Sequence, residues 1–192
     1  MRPLLVLAGT FAPQRVSNVY YASLYPTRVI ALPGGGSDRL HKTYASIQAS
    51  IYEWALQQDE GIVLAGHSQG AIHALSFALD HPHLVHEVVG IAGPFDGANG
   101  PAITTRIRSH VKRVIPVGVD FQRGSSYLLA LQERATTSSV SITLVAGSAD
   151  MLVTQESAHA INPADKVVHE GGHTTVLHQR DTKHLLRVLR ER

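Results

Sequence analysis

The stretch GIVLAGHSQGAIHAL, residues 61–75, decides how the rest of the chain is interpreted. Four apolar residues, 62–65, are typical of a buried strand, and the apolar positions after Gly70 recur with helical spacing. The predicted strand meets the predicted helix without a loop, so Ser68 stands in a sharp turn. Gly66 and Gly70, two positions before and after Ser68, have no side chain that would collide with the neighbouring backbone. The pattern predicts a nucleophile elbow with Ser68 as the candidate nucleophile.

Composition limits the classes to which the protein can belong. A chain of 192 residues suits one domain, 1–192, that buries about 70% of the surface its unfolded form exposes. The 44% of hydrophobic and 17% of charged residues are ordinary for a globular protein, and no apolar run is long enough for a membrane helix. A net charge of +2 gives no support to nucleic-acid binding.

The absence of cysteine excludes a disulfide framework, a thiolate zinc site and a cysteine nucleophile together. The amino end, MRPLLVLAGTFA, is only faintly similar to a signal peptide, because its apolar run is at the short limit for one. Its removal would also delete a strand that the predicted fold needs. We therefore expect a protein made without a targeting segment and located in the cytoplasm.

Apolar runs of strand length alternate with helical patterns along the chain. Unbroken apolar runs are typical of parallel strands that are buried on both faces. The run at 4–8 is of this kind, and further predicted strands occupy residues 28–32, 62–65, 85–91, 142–146 and the surroundings of 167–168. The alternation predicts an α/β fold with a mainly parallel central sheet of about six strands and helices on both faces. Residues 98–139 are the least regular part, and we predict that they form an insertion lining the cleft.

The clearest helical face lies between residues 40 and 54. Its apolar positions follow spacings of four, three, four and three: Leu40, Tyr44, Ile47, Ile51 and Trp54. We expect Ser37 or Asp38 to cap the amino end of this helix. A second apolar stripe, formed by Leu185, Leu186 and Leu189, predicts a final helix.

Residues with catalytic chemistry follow several predicted strands. The carboxyl ends of parallel strands share one edge of the sheet, so these residues gather in one cleft. A serine hydroxyl needs a base to take its proton and an acid to hold that base in one tautomer. Asp150 and His173 each follow a strand, and the order Ser68, Asp150, His173 is the order that accompanies an elbow.

Alternatives remain for two of these positions. Asp96 follows an earlier strand and is the rival acid, while Asp150 also suits the cap of a helix after residue 151. His173 is favoured as the base because a Gly-Gly-His-Thr-Thr turn can swing its imidazole over the elbow. The alternative bases are His169 and His178.

Acyl transfer also needs donors for the developing oxyanion. They are commonly the backbone amide after the nucleophile and one in the loop after an earlier strand. Gln69 supplies the first amide. For the second we select Thr10, with its neighbour Phe11 as the alternative.

No metal ion or cofactor is predicted. The histidines of HPHLVH, residues 81–86, have no carboxylate at a ligand spacing, and the chain has no His-Glu-x-x-His. Gly34–Gly36 lacks the residues of a phosphate loop or dinucleotide fingerprint. The basic residues Arg106, Arg108, Lys112 and Arg113 are typical of a solvated face, and a transient contact with an anionic lipid surface is their alternative use.

The chain resembles the α/β-hydrolases, and among them the small bacterial triacylglycerol lipases and esterases with little or no cap. The resemblance rests on six segments spread over nearly the whole chain: 4–10, 66–70, 93–97, 124–131, 148–153 and 172–173. Many relatives have His-Gly before the first oxyanion donor, where this chain has Ala8 and Gly9. The resemblance implies a minimal α/β-hydrolase fold and hydrolysis of carboxylic esters of fatty acids.

These observations predict a metal-independent serine esterase or lipase that acts on a small-molecule acyl ester or lipid. Acyl transfer and thioester hydrolysis are alternatives that would use the same residues. A relative that only binds a ligand is a third hypothesis, but a binding protein has no need of all three of Ser68, Asp150 and His173. The sequence leaves the acyl-chain length and the oligomeric state open.

Overall fold

A computed structural model describes residues 1–99 and 116–192. Its centre is one sheet of six strands: β1 (Leu4–Leu7), β2 (Arg28–Ile30), β3 (Ile62–His67), β4 (Val85–Ile91), β5 (Ile142–Gly147) and β6 (Asp165–His169). The strands lie in the order β2-β1-β3-β4-β5-β6, and each neighbouring pair is parallel. The predicted sheet is therefore confirmed.

Helices connect the strands. In the described residues they are α1 (Gln14–Tyr21), α2 (Leu40–Ala55), α3 (Gln69–Asp80), α4 (Val117–Asp120), α5 (Ser126–Thr136), α6 (Gln155–Ala158) and α7 (Arg180–Glu191). Short 3-10 turns cover Ala22–Leu24, Pro33–Gly36 and Thr175–His178. None of the helices in the described part of the chain has the length and apolarity needed to cross a membrane.

The sheet is covered on both faces, as the sequence predicted. The core on one face contains apolar side chains of α2, α3 and α5, among them Ile47, Ile72 and Leu131. The core on the other face contains Tyr21 at the end of α1 and Leu186 of α7. The strands between them are apolar on both sides, which explains their unbroken runs.

The strand order places a crevice above the centre of the sheet. The chain leaves β1 towards β2 on one side and returns to β3 on the other side of β1. Ligand sites in open parallel sheets lie at such a reversal, beyond the carboxyl ends of the strands. Thr10 follows β1 and Ser68 follows β3, so both lie at this reversal.

Two local features differ from the sequence expectations, and a third concerns the segment 98–139. Neither Ser37 nor Asp38 caps α2; instead the Asp120 carboxylate accepts a hydrogen bond from the Leu40 amide at 2.7 Å. Helix α1 was not predicted. In the segment 98–139, α4 and α5 are helical, whereas residues 100–115, with all four basic residues of the predicted cationic face, lie outside the described residues.

Candidate active site

The turn at Ser68 has the strained geometry that the sequence predicts. Ser68 has φ 53° and ψ −123°, a conformation that side-chain-bearing residues rarely adopt. Its amide donates to the Ile91 carbonyl at 2.9 Å, which ties the turn to strand β4. A Cβ atom on Gly66 would overlap the backbone of Gly70, and one on Gly70 would overlap the carbonyl oxygen of Leu7. Both glycines are therefore required for the chain to pass through this turn.

His173 lies directly against the Ser68 hydroxyl. The distance between His173 Nε2 and Ser68 Oγ is 3.0 Å. His173 follows β6 in the loop that precedes the turn Thr175–His178, and its side chain is 16% exposed. The imidazole is thus open to the cleft and within hydrogen-bonding distance of the hydroxyl.

Asp150 holds the other side of the His173 ring. Asp150 Oδ2 lies 2.8 Å from His173 Nδ1, and the carboxylate side chain is only 1% exposed. Asp150 Oδ1 accepts hydrogen bonds from the amides of Leu152 and Val153, both at 2.9 Å. Burial raises the pKa of Asp150, but hydrogen bonds from His173, Val153 and Leu152 outweigh it, so the pKa lies below its usual range.

These contacts assign the proton positions on His173. An ionised carboxylate only accepts hydrogen bonds, so Nδ1 of His173 carries the proton that Asp150 accepts. In the neutral ring Nε2 is then unprotonated and accepts from Ser68. This tautomer is the one that can remove the serine proton.

The alternative acid and bases have other partners. The Asp96 carboxylate pairs with Arg123 at 2.6 Å. His169 Nδ1 lies 2.8 Å from the Thr182 hydroxyl, and His178 Nδ1 lies 3.1 Å from the Ser23 hydroxyl. Among the described residues, none of these side chains forms a hydrogen bond with Ser68 or with His173.

Two backbone amides remain available beside Ser68. Gln69 is the first residue of α3, where amides have no partner within the helix. In the segment after β1, the Gly9 amide donates to Tyr21 Oη at 3.0 Å and the Phe11 amide to the Gly35 carbonyl at 2.7 Å. Within the described chain, the amide of Thr10 between them has no acceptor. This pattern favours Thr10 over Phe11 as an oxyanion donor.

The two candidate donors are also joined through their side chains. Thr10 Oγ1 donates to Gln69 Oε1 at 2.7 Å, and Gln69 is fully buried. The side-chain nitrogen Nε2 of Gln69 lies 3.3 Å from Nε2 of His73, one turn further along α3. The loop after β1 is therefore fixed to the helix that begins at the elbow.

Sequence reasoning missed two buried polar side chains beneath the site. His67 is 4% exposed; its Nδ1 lies 2.9 Å from Tyr21 Oη, and its Nε2 lies 2.8 Å from the His173 carbonyl oxygen. Burial and the nearby His173 lower the pKa of His67 to about 3, so this ring is neutral. The position of His67 inside the elbow motif was a signal, but nothing local pointed to Tyr21.

An apolar cleft of about 1140 Å³ opens beside Ser68. It is bounded by the segment after β1 and α1 on one side and by the Asp150 loop on the other. The lining includes Phe11, Val16, Pro94, Val117, Phe121, Met151, Leu152 and Val153. Around its mouth, Phe11 is 56% and Met151 84% exposed. Within residues 1–99 and 116–192, no cluster of three or more metal-ligating side chains is found.

Comparison with protein families gives one match. A family model described as "putative esterase" matches residues 16–183, which is most of the chain. No curated protein matches the sequence.

Solved structures share the fold over nearly the whole chain. A lipase of Bacillus licheniformis in its mature form has a TM-score of 0.72 at 12% identity, covering 98% of this chain and 92% of that one. A thioesterase domain from the curacin biosynthetic pathway has a TM-score of 0.64 at 17% identity, covering 98% of this chain and 90% of that one. A monoacylglycerol lipase of Paleococcus ferrophilus has a TM-score of 0.63 at 14% identity, covering 98% of this chain and 96% of that one. At these identities the likeness establishes the α/β-hydrolase fold alone.

Proposed function

The chain belongs to the esterase family whose model it matches, and from this premise we propose that it hydrolyses carboxylic esters through Ser68, His173 and Asp150. The observation that carries the proposal is the continuous contact from Asp150 Oδ2 to His173 at 2.8 Å and from His173 Nε2 to Ser68 Oγ at 3.0 Å. This arrangement supplies a nucleophile, a base in the right tautomer and an ionised acid.

In the first step, Ser68 Oγ forms a bond to the ester carbonyl carbon while its proton passes to His173 Nε2. The imidazolium that results is stabilised by Asp150, whose lowered pKa keeps it ionised at neutral pH. His173 then gives this proton to the leaving alkoxide as the C–O bond breaks. The alcohol departs and an acyl group remains on Ser68.

The negative charge that develops on the carbonyl oxygen is stabilised by the amides of Thr10 and Gln69. Fixed donors of this kind are effective because they are oriented before the reaction and need no reorganisation. Loss of one such donor costs about 10²–10³-fold in rate in enzymes of this class of chemistry. Water, deprotonated by His173, releases the acyl group and restores Ser68.

The cleft favours a substrate with an apolar acyl part. The described lining of the cleft is mostly apolar. The histidines in it are His67 and His173, beside Ser68. An uncharged acyl chain would bury its surface against these walls at about 25 cal/mol per Å². We further propose that 1–192 acts as one domain and that the described parts of the segment 98–139 form a wall, since Ala98, Val117 and Phe121 line the cleft. The exposed apolar mouth also suits a transient contact with lipid.

The test measures release of p-nitrophenol from butyrate, octanoate and palmitate esters, and labelling by a fluorophosphonate probe. Wild-type protein should hydrolyse at least one ester and carry the label on Ser68, located by peptide mass spectrometry. Ser68→Ala should lose both, whereas Ser50→Ala, an exposed serine on α2, should retain both. Label on another residue, or undiminished hydrolysis by Ser68→Ala, contradicts the assignment.

A matched series of acyl thioesters separates the alternative activities. Higher kcat/KM for oxygen esters supports the esterase, whereas a clear preference for thioesters would replace it with thioester hydrolysis. Acyl transfer would appear as a product formed with an added alcohol in preference to water. A folded wild-type protein that turns over none of these compounds would leave only a ligand-binding role.

A further inference from the structure

A chain of buried hydrogen bonds connects the segment after β1 to the loop of His173. The Gly9 amide donates to Tyr21 Oη at 3.0 Å; Tyr21 Oη lies 2.9 Å from His67 Nδ1; and His67 Nε2 lies 2.8 Å from the His173 carbonyl oxygen. Tyr21 is 1% and His67 4% exposed. Four separate parts of the sequence therefore meet in one network beneath the elbow.

The direction of every bond in this network can be assigned. A carbonyl oxygen only accepts, so His67 Nε2 must carry a proton and donate it to the His173 carbonyl. In the neutral ring Nδ1 then accepts, and the Tyr21 hydroxyl donates to it. The remaining lone pairs of Tyr21 Oη accept the Gly9 amide. This single arrangement gives a hydrogen-bond partner to Tyr21 Oη and to both ring nitrogens of His67, and buried polar groups require such partners.

The two ends of the network lie next to the proposed reacting groups. Gly9 precedes Thr10, whose amide has no acceptor in the described part of the chain and is the candidate oxyanion donor, and the His173 carbonyl belongs to the candidate base. His67 directly precedes the nucleophile. A shift of the network therefore changes the position of an oxyanion donor and of the base relative to Ser68.

We propose that Tyr21 and His67 are positioning residues that couple the oxyanion-binding segment to the loop of the base. The inference rests on the proposed function, since it concerns the rate of that reaction. The Tyr21 hydroxyl acts through the Gly9 amide, and His67 acts through the backbone of His173. Errors of about 1 Å in such groups cost up to about 10²-fold in rate, which sets the size of the expected effects.

The test compares kcat and KM of Tyr21→Phe, His67→Leu and the double variant on the best p-nitrophenyl ester. Each single variant should lower kcat by about ten-fold or more with KM within about two-fold, because substrate binding is retained while the transition state is less well stabilised. The double variant should be little worse than the poorer single variant, because both changes interrupt one network. His67→Gln, which keeps a donor and an acceptor, should recover part of kcat.

Tyr127→Phe is the matched control for loss of a tyrosine hydroxyl. Tyr127 Oη contacts the hydroxyl of Ser76, eight residues after Ser68, at 3.1 Å, and loss of the Tyr127 hydroxyl should leave kcat unchanged. Tm is measured for all variants, and kinetics are recorded well below the lowest Tm. If His67→Leu does not fold, the comparison of kcat between Tyr21→Phe and Tyr127→Phe still tests whether Tyr21 is a positioning residue.

A second readout does not depend on turnover. Nitrogen-15 NMR of histidine-labelled protein, with His67→Gln for assignment, should show His67 as a neutral ring protonated at Nε2. Protonation at Nδ1 would overturn the proposed network, as would equal kcat for Tyr21→Phe and Tyr127→Phe or independent, multiplicative effects in the double variant. An inactive wild-type protein would instead refute the proposed function.

Discussion

Asp150 Oδ2 lies 2.8 Å from Nδ1 of His173, although 23 residues separate them in the sequence. The other oxygen of the same carboxylate accepts two amides of the loop that follows, at Leu152 and Val153. Asp150 therefore fixes a turn and also contacts a histidine, but it does not cap a helix: the helix that follows, α6, begins at Gln155 and is capped by Thr154. Its rival Asp96 is held by Arg123 and does not form this contact.

Asp150→Asn should lower kcat by roughly 10³-fold or more, because an amide can hold the imidazole in the wrong tautomer and cannot stabilise its charge. Steady-state hydrolysis of a p-nitrophenyl ester measures the effect. Asp96→Asn is the control and should stay within about three-fold of wild type. Equal losses in the two variants would contradict the assignment of Asp150 as the acid.

Gly70→Ala should lower the free energy of unfolding by more than about 2 kcal/mol, because the added Cβ overlaps backbone oxygens of Leu7 and Ala8 that cannot move independently of β1. Urea denaturation provides the measurement. Gly118→Ala is the matched control, since a Cβ there meets no atom within 4 Å in the described structure. It lies in helix α4, so alanine should be neutral or stabilising by up to about 1 kcal/mol.

Asp120→Ala should destabilise the fold by about 2–3 kcal/mol, because it removes the acceptor of the Leu40 amide and the partner of Arg39 from a buried site. Asp38→Ala, at the cap position expected from the sequence, should cost less than about 1 kcal/mol. Both values come from urea denaturation. A larger loss of stability for Asp38→Ala than for Asp120→Ala would instead support Asp38 as the cap of α2.

Stability should fall as the pH falls from about 6.5 towards 3, because burial lowers the pKa of both His67 and His73 to about 3. In this window the unfolded chain takes up protons that the folded protein does not, so each histidine contributes a slope of up to about 1.4 kcal/mol per pH unit. Urea denaturation at several pH values should show a shallower slope for His73→Gln. His41→Gln, at an exposed position, should keep the slope of wild type.

The fold was predictable because its determinants are local. Unbroken apolar runs predicted parallel strands, and the α2 face from Leu40 to Trp54 predicted a helix from its own spacing. The elbow was predictable in part for the same reason, since a Cβ on Gly66 would meet the backbone of Gly70, four residues along; glycine at position 70 is required by the carbonyl of Leu7 in β1, which is distant in the sequence. Helix α1, and with it Tyr21, is not predicted from the sequence. Its buried residues are Ser17 and Tyr21, and a single buried apolar residue at the helix end gives no periodic pattern.

The sequence by itself determined the sheet, the strained turn and the order in which a serine, an aspartate and a histidine follow three strands. The tertiary structure alone decided which aspartate contacts His173, which amide of the segment after β1 has no acceptor among the described residues, and which carboxylate caps α2. Those choices depend on partners 23, 24 and 80 residues away, such as Gly35 for Phe11 and Asp120 for Leu40. Local preference fixes how a segment folds, but a hydrogen bond between distant segments exists only once packing has brought them together.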